Sequence, residues 1–182
     1  MRGFSVISNN CWSNKLYEQL GMIYTTPFIN IFFHPDDYLK MLHGLKCYLA
    51  LPLSFAKESR HDNINRLRKG HKTLYPIALL GDVELQCLHF ASEPEVTATW
   101  NRRLARMMPD ESRWFFKFSD EYGCTQAQLE QFDALPFMHK VCFTCRPMPH
   151  LKSAVHVPGD GDNVTFQDQT DPKWFNAVRW IE

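Results

Sequence analysis

Residues 4–21 read FSVISNNCWSNKLYEQLG: a strand, a polar loop and a helix in immediate succession. Residues 4–8 are apolar and β-branched at their centre, as in a short buried strand. Residues 14–21 have a helical pattern closed by Gly21, a C-cap signal. Between them lie Asn9, Asn10, Cys11 and Trp12. A strand that turns directly into a helix begins a β–α–β unit, whose return strand lies parallel through a right-handed crossover.

The rest of the chain repeats this alternation. Residues 24–33 are aromatic and β-branched, but Pro27 confines them to an edge strand or extended loop. Pro35-Asp36-Asp37 opens a helix through Cys47, with acidic side chains at the positive end of the helix. Residues 52–76 are polar and basic at their centre and read as a solvated excursion or short hairpin. Residues 82–90 (DVELQCLHF) alternate as a strand, and Ser92-Glu93-Pro94-Glu95 caps a helix reaching Met107. Residues 113–119 (RWFFKFS) form a strand leading to a helix whose Thr125-x-x-Gln128 matches a capping box. Residues 140–145 (KVCFTC) are the last core strand. Residues 147–170, rich in Pro, Gly and Asp, read as a loop-rich tail. Residues 171–182 read as a docking helix with an apolar face of Trp174, Phe175, Val178, Trp180 and Ile181. No internal repeat is visible. The expected fold is a single α/β domain over residues 1–182, an open, mainly parallel sheet with helices on both faces.

Composition bounds the function. The chain has 182 residues, 45% of them apolar and 14% aromatic, enough for one well-buried core. Twenty basic and twenty acidic side chains cancel, so no overall field draws nucleic acid. Residues 45–55, the longest apolar-rich run, are interrupted by Lys46 and Pro52, so no membrane span is expected. With no secretory signal, the six cysteines (11, 47, 87, 124, 142 and 145) are expected as reduced thiols in a cytoplasmic protein.

In open α/β sheets, ligands bind beyond the carboxyl ends of the strands. Those ends carry Ser8-Asn9-Asn10-Cys11, His89, Ser119-Asp120-Glu121 and Thr144-Cys145. Cys11 at a helix N-terminus is a candidate nucleophile, because free backbone N–H groups and the helix dipole favour its thiolate. His89 would serve as base and Asp120 would orient it, while Asn9 or Asn10 would support an oxyanion, a set suited to acyl transfer. The competing explanation is a buried cysteine packed as a small hydrophobe, which is the expectation for Cys47, Cys87 and Cys142. Arg102 and Arg103 present guanidinium forks suited to phosphate, against the ordinary alternative of solvated helix charge. Cys142 and Cys145 have metal-ligand spacing but point to opposite strand faces without a second pair, so no metal is expected.

Ser8-Asn9-Asn10-Cys11-Trp12, Tyr24-x-Thr26-Pro27-Phe28, Leu88-His89-Phe90, Trp100-Asn101-Arg102-Arg103 and Phe132-Asp133-x-Leu135-Pro136-Phe137 occur in that order. Together they resemble the bacterial domain-of-unknown-function family "nineteen-nineteen", grouped with exopolysaccharide biosynthesis proteins. The likeness runs from Phe4 to the region of Thr144. It implies an acetyltransferase of surface polysaccharide, with Trp12, Thr26, Trp100 and Asn101 joining Asn9, Asn10, Arg102 and Arg103 in substrate or cofactor binding. The asparagine–cysteine loop is similar to that of a capsule-biosynthesis acetyltransferase family that binds coenzyme A, which makes coenzyme A or acetyl-coenzyme A the implied co-substrate. One departure is that the family carries glycine soon after Trp12, where this chain has Ser13 and Asn14. The expected partner is a saccharide or nucleotide sugar, in association with polysaccharide biosynthesis machinery. The alternatives are a non-catalytic saccharide- or nucleotide-binding component, with Trp12, Trp100 and Phe28 as a stacking platform, and a cysteine hydrolase using the same residues.

Overall fold

Ile7 and Phe116 stand side by side on adjacent parallel strands, and from this pairing the main sheet extends in one direction. The computed structural model describes residues 3–70, 74–158 and 163–182. Residues 71–73 and 159–162 of the two expected loop segments lie outside them. The elements in chain order are β1 (Ser5–Ser8), α1 (Trp12–Gln19), α2 (Pro35–His43), α3 (Leu45–Leu49), β2 (Leu53–Ala56), α4 (Asp62–Lys69), β3 (Ile77–Leu80), β4 (Val83–Gln86) and α5 (Glu93–Leu104). After a 3₁₀ turn at Glu111–Arg113 come β5 (Trp114–Ser119), α6 (Gln126–Ala134), β6 (His139–Thr144), β7 (Ala154–His156), α7 (Phe166–Gln169) and α8 (Ala177–Trp180).

The four-stranded sheet has the order β1-β5-β6-β7, parallel throughout. β1, β5 and the C-terminal part of β6 are buried on both faces because helices and the C-terminal segment cover them. Alternation along β5 divides the core: Phe116 and Phe118 meet Tyr38, Leu129 and Phe132 on one side. Phe115 meets Trp12, Leu16, Tyr17 and the C-terminal segment on the other. Tyr38 of α2 donates to Ile7 O at 2.8 Å or Lys117 O at 3.0 Å, seating that helix over the β1–β5 seam. The capping box at α6 forms as its sequence predicts, with Thr125 Oγ1 accepting from Gln128 N and Gln128 Oε1 from Thr125 N.

The strand expected at residues 82–90 departs from this parallel scheme. Its core, Val83–Gln86, pairs antiparallel with β3 in a second sheet of order β2-β3-β4. The cause is local: Gly81, at φ +59°, and Asp82 form a two-residue turn, too short for a parallel crossover and suited to a hairpin. The extended stretch containing Pro27 then links the sheets. Phe32 exchanges two backbone hydrogen bonds with Gln86, and Phe33 N donates to Asn9 O at 2.9 Å.

Two tail expectations are corrected. Residues 147–170 include β7, which adds to the parallel sheet beside β6, and the short α7. Residues 171–182 form turns and one short helix, because Asn176 restarts the chain by capping Arg179 N at 3.0 Å. The docking survives without the long helix: Phe175 and Trp180 pack against Trp12, Phe115 and Phe143.

The buried thiols have a measurable consequence. Burial pushes Cys87 up to about 12 and Cys142 well above its ordinary 9.0. The unfolded chain releases these protons near 9.0 while the folded chain keeps them. Their stabilising contribution is therefore complete below that pH and is lost as pH rises toward the folded values. Thermal melts are expected to show a melting temperature that falls progressively above pH 9.0. A Cys87→Ala/Cys142→Ala chain is expected to show a shallower decline, and an identical slope would assign the effect to other groups.

Candidate functional site

The site is built where β1 and β5 end side by side. Alternation along β5 puts Lys117 and Ser119 on the same face, beside Asn9 and Asn10 of the loop that follows β1. Lys117 is fully buried. Its Nζ donates to Asn9 Oδ1 at 3.1 Å, Asn10 Oδ1 at 2.9 Å and Ser119 Oγ at 2.9 Å. Three donors meet three acceptors, so the ammonium is fully used in tying the strand ends together.

Glu121 continues this network outward. Its Oε2 accepts from Ser119 Oγ at 2.8 Å and Asn10 Nδ2 at 2.5 Å, while Oε1 makes no hydrogen bond among the described residues. Asn10 also closes the loop onto itself through Trp12 N, at 3.0 Å from its Oδ1. After Glu121 the chain turns through Tyr122 at φ +59° and Gly123 at φ +82°, a pair of left-handed residues. Asn63 of α4 holds this turn by donating to Tyr122 O at 3.2 Å.

The electrostatics differ from the thiolate expectation. Cys11 is half-buried, and its removal from water pushes the thiol up to about 11, despite the opposing pull of Lys117. Glu121 adds to the rise. The thiol is thus protonated at neutral pH, because desolvation outweighs the pull of the Lys117 charge. Lys117 moves the other way: burial brings it down to about 8, against the stabilising charge of Glu121.

Of the sequence candidates, Asn9, Asn10 and Cys11 come together at this site. Asp120 lies beside them but has another task. Its Oδ2 accepts Cys145 N and its Oδ1 accepts Val164 N, both at 2.7 Å, so it pins two neighbouring loops. His89 lies on an exposed turn after β4, in the antiparallel sheet, and makes no hydrogen bond among the described residues. The assignment of Asp120 as its orienting group does not fit this placement. The binding candidates also separate. Trp12 is 3% exposed, and its Nε1 donates to Gln169 O at 2.7 Å. Trp100 is 2% exposed, edge-on to the buried Phe28, so neither indole nor Phe28 offers a stacking platform. Thr26 is buried and donates to Val6 O. Arg103 is buried over the Tyr24 ring and donates to Ile29 O at 3.0 Å. Asn101 and Arg102 lie exposed on α5. Of the chemically central residues, sequence reasoning passed over Lys117 and Gln169, and placed Ser119 and Glu121 at the strand end without giving them a role.

Beyond the carboxyl ends of β5 and β6 opens a cavity of about 270 Å³, lined in part by Asp120, Gln126, Thr144, Cys145, Arg146 and Asn163. Its position follows the rule for parallel α/β sheets. Among the described residues, no helix is long and apolar enough to cross a membrane.

Fold and site together define an α/β protein with a polar centre at the ends of parallel strands, built around one buried lysine and one partly free carboxylate. Residues 1–181 match the family described as Domain of unknown function (DUF1919), and the chain belongs to that family. It is also similar to an uncharacterized protein of Haemophilus influenzae, 31% identical over 189 residues that cover 99% of this chain and 84% of the relative.

Proposed function

We propose that this chain transfers an acyl group from a coenzyme A thioester to a hydroxyl of a saccharide in surface polysaccharide synthesis, with Glu121 as general base. The observation that carries this reading is the state of Glu121. One carboxylate oxygen is fixed by Ser119 and Asn10, and the other has no described partner, beside the neutral Cys11 thiol. A carboxylate oriented in this way can take the proton of an attacking hydroxyl. As the saccharide oxygen bonds to the thioester carbonyl, its proton passes to Glu121 Oε1. Collapse of the tetrahedral intermediate breaks the carbon–sulfur bond, and the leaving thiolate takes the proton back. The buried Lys117 holds Asn9, Asn10 and Ser119 in register and gives the site a positive potential. Direct transfer is preferred to a covalent route through Cys11 because that thiol, pushed up to about 11, is protonated at neutral pH.

The test follows release of free coenzyme A from acetyl-coenzyme A in the presence of saccharide acceptors. Glu121→Gln is expected to lower kcat by roughly 10²–10⁴-fold, the usual share of a general base. Cys11→Ser is expected to stay within a few-fold of the parent. Loss of activity in Cys11→Ser with retention in Glu121→Gln would overturn the direct route. Absence of any transfer, together with no thermal shift from acetyl-coenzyme A, would overturn the reading as a whole.

A further inference from the structure

A second polar cluster lies away from the strand-end site, between α2, the start of α4 and β4. Asp37 and Glu84 are both buried, at 1% and 3% exposure. Asp37 Oδ2 lies 2.6 Å from His61 Nε2, and Asp37 Oδ1 accepts Glu84 N at 3.2 Å. Potential ligand atoms of Asp37, His61 and Glu84 all lie within 4.8 Å of one another. The ring of His34 stacks on that of His61, centroids 3.7 Å apart and planes 11° apart, which fixes the plane of the His61 imidazole.

Two further features point to a cation. The first is charge. Arg60 contacts Asp37 Oδ1 and approaches Glu84 Oε1 with its Nε at 3.8 Å, so one half-exposed guanidinium faces two buried carboxylates, the other donors to Glu84, from Ser59 Oγ and Arg60 N, being neutral. Buried charge that is not matched is costly, and a divalent ion would make up the difference. The second is Gln86, which is fully buried. Its Nε2 donates to Glu84 Oε2 at 3.2 Å. Its Oε1 has no hydrogen-bond partner among the described residues. A buried carbonyl oxygen without a donor, on a side chain bonded to Glu84, is a hard ligand open to a cation at that carboxylate.

We propose that Asp37, His61 and Glu84, with the Gln86 carbonyl oxygen beside them, form a binding site for a divalent first-row transition ion such as Mn²⁺ or Zn²⁺. The donor set of carboxylate oxygens and imidazole nitrogen, with no thiolate, suits these ions. The ion takes the place of the proton now lying between His61 Nε2 and Asp37 Oδ2. The proton that a neutral ring carries on Nε2 shifts to Nδ1, and His61 Nε2 and Asp37 Oδ2 spread from hydrogen-bond contact to the wider spacing of ligands around a metal. His34 acts as a positioning residue through its stacking.

The experiment titrates Mn²⁺, Zn²⁺ and Co²⁺ into the full chain calorimetrically, with the Co²⁺ absorption spectrum recorded alongside. One ion per chain is expected, with a Co²⁺ spectrum free of thiolate charge-transfer bands. His61→Ala is expected to weaken binding by at least about tenfold, as loss of a supporting group at a metal centre already does. Should that variant fail to fold, the wild-type histidine resonances give the same answer. Mn²⁺ should broaden His61 and His34 and leave the exposed His89 sharp. Absence of binding, binding undiminished in a folded His61→Ala, or broadening centred on other histidines would each overturn the site. In those cases the cluster is a hydrogen-bonded tie between α2, α4 and β4.

Discussion

Lys117→Met is expected to lower the melting temperature by about 5–15 °C at neutral pH, on the scale of 2–4 °C per kcal/mol for a chain of this size. Methionine fills much of the same volume, so the loss isolates the ammonium. Without it, Asn9 Oδ1, Asn10 Oδ1 and Ser119 Oγ lose a donor in a buried setting. Each buried acceptor left unmade costs about 1–3 kcal/mol. Re-pairing offsets part of this, since Asn9 Nδ2 already reaches Ser119 Oγ at 3.2 Å. Relief of the desolvated charge offsets more, leaving a net loss of about 2–4 kcal/mol. A melting temperature within about 2 °C of the parent would show that the cluster rearranges freely. The double variant with Glu121→Gln is expected to lose less than the sum of the two single losses, because both charges leave together.

The same lysine has a distinctive pH signature. Burial lowers it from 10.5 to about 8. Between those values the unfolded chain holds a proton that the folded chain has released, so this group's contribution to stability rises with pH across that window. The gap between the parent and Lys117→Met therefore widens on going from pH 8 to 10.5. This trend is opposite in sign to that of the buried thiols. It is read as a difference between two chains that share those thiols.

The opening strand–loop–helix and the strand at Trp114–Ser119 were legible because their signals are local: apolar runs bounded by polar loops, with a cap at each helix. The capping box of α6 was legible for the same reason. The antiparallel sheet was not, because its decisive signal is the Gly81-Asp82 turn joined to Ile77–Leu80, and the alternation of residues 82–90 says nothing about strand direction. The three-residue β7 is too short to show a period, and its pairing depends on the edge that β6 presents.

Within the site, the loop Asn9-Asn10-Cys11 was readable from its place after β1. The roles of His89 and Arg103 were not. A histidine in a strand-like pattern can end on an exposed turn, and an arginine in a basic stretch can bury itself on a tyrosine ring. Lys117 was the missed signal. A single lysine among Trp114, Phe115, Phe116 and Phe118 in a central strand has no route to solvent, and a buried ammonium needs a set of acceptors. Those acceptors are Asn9 and Asn10 of the loop after β1 and Ser119 two positions along β5.

Trp12→Ala is expected to destabilise the chain by about 3–5 kcal/mol, the range for emptying a buried aromatic site. The indole packs against Phe143 at 5.6 Å, Phe175 at 6.3 Å and Trp180 at 6.2 Å between ring centroids. Its Nε1 also holds Gln169 O, and the Gln169 side-chain carbonyl in turn accepts Asn10 Nδ2 at 3.4 Å. One residue thus fastens the C-terminal segment to the loop that carries Cys11. Trp12→Phe keeps most of the apolar contact and leaves the Gln169 carbonyl without its donor, a loss of about 1–3 kcal/mol. Denaturant titration ranks the two variants, and limited proteolysis locates the damage. In Trp12→Ala, cleavage is expected first within residues 163–182, where the cover over the sheet has lost its anchor. A tryptophan serving as a ligand platform behaves differently, losing affinity for saccharide while stability stays near that of the parent. A Trp12→Ala chain that melts with the parent would therefore return the indole to the binding surface and detach the C-terminal segment from the site.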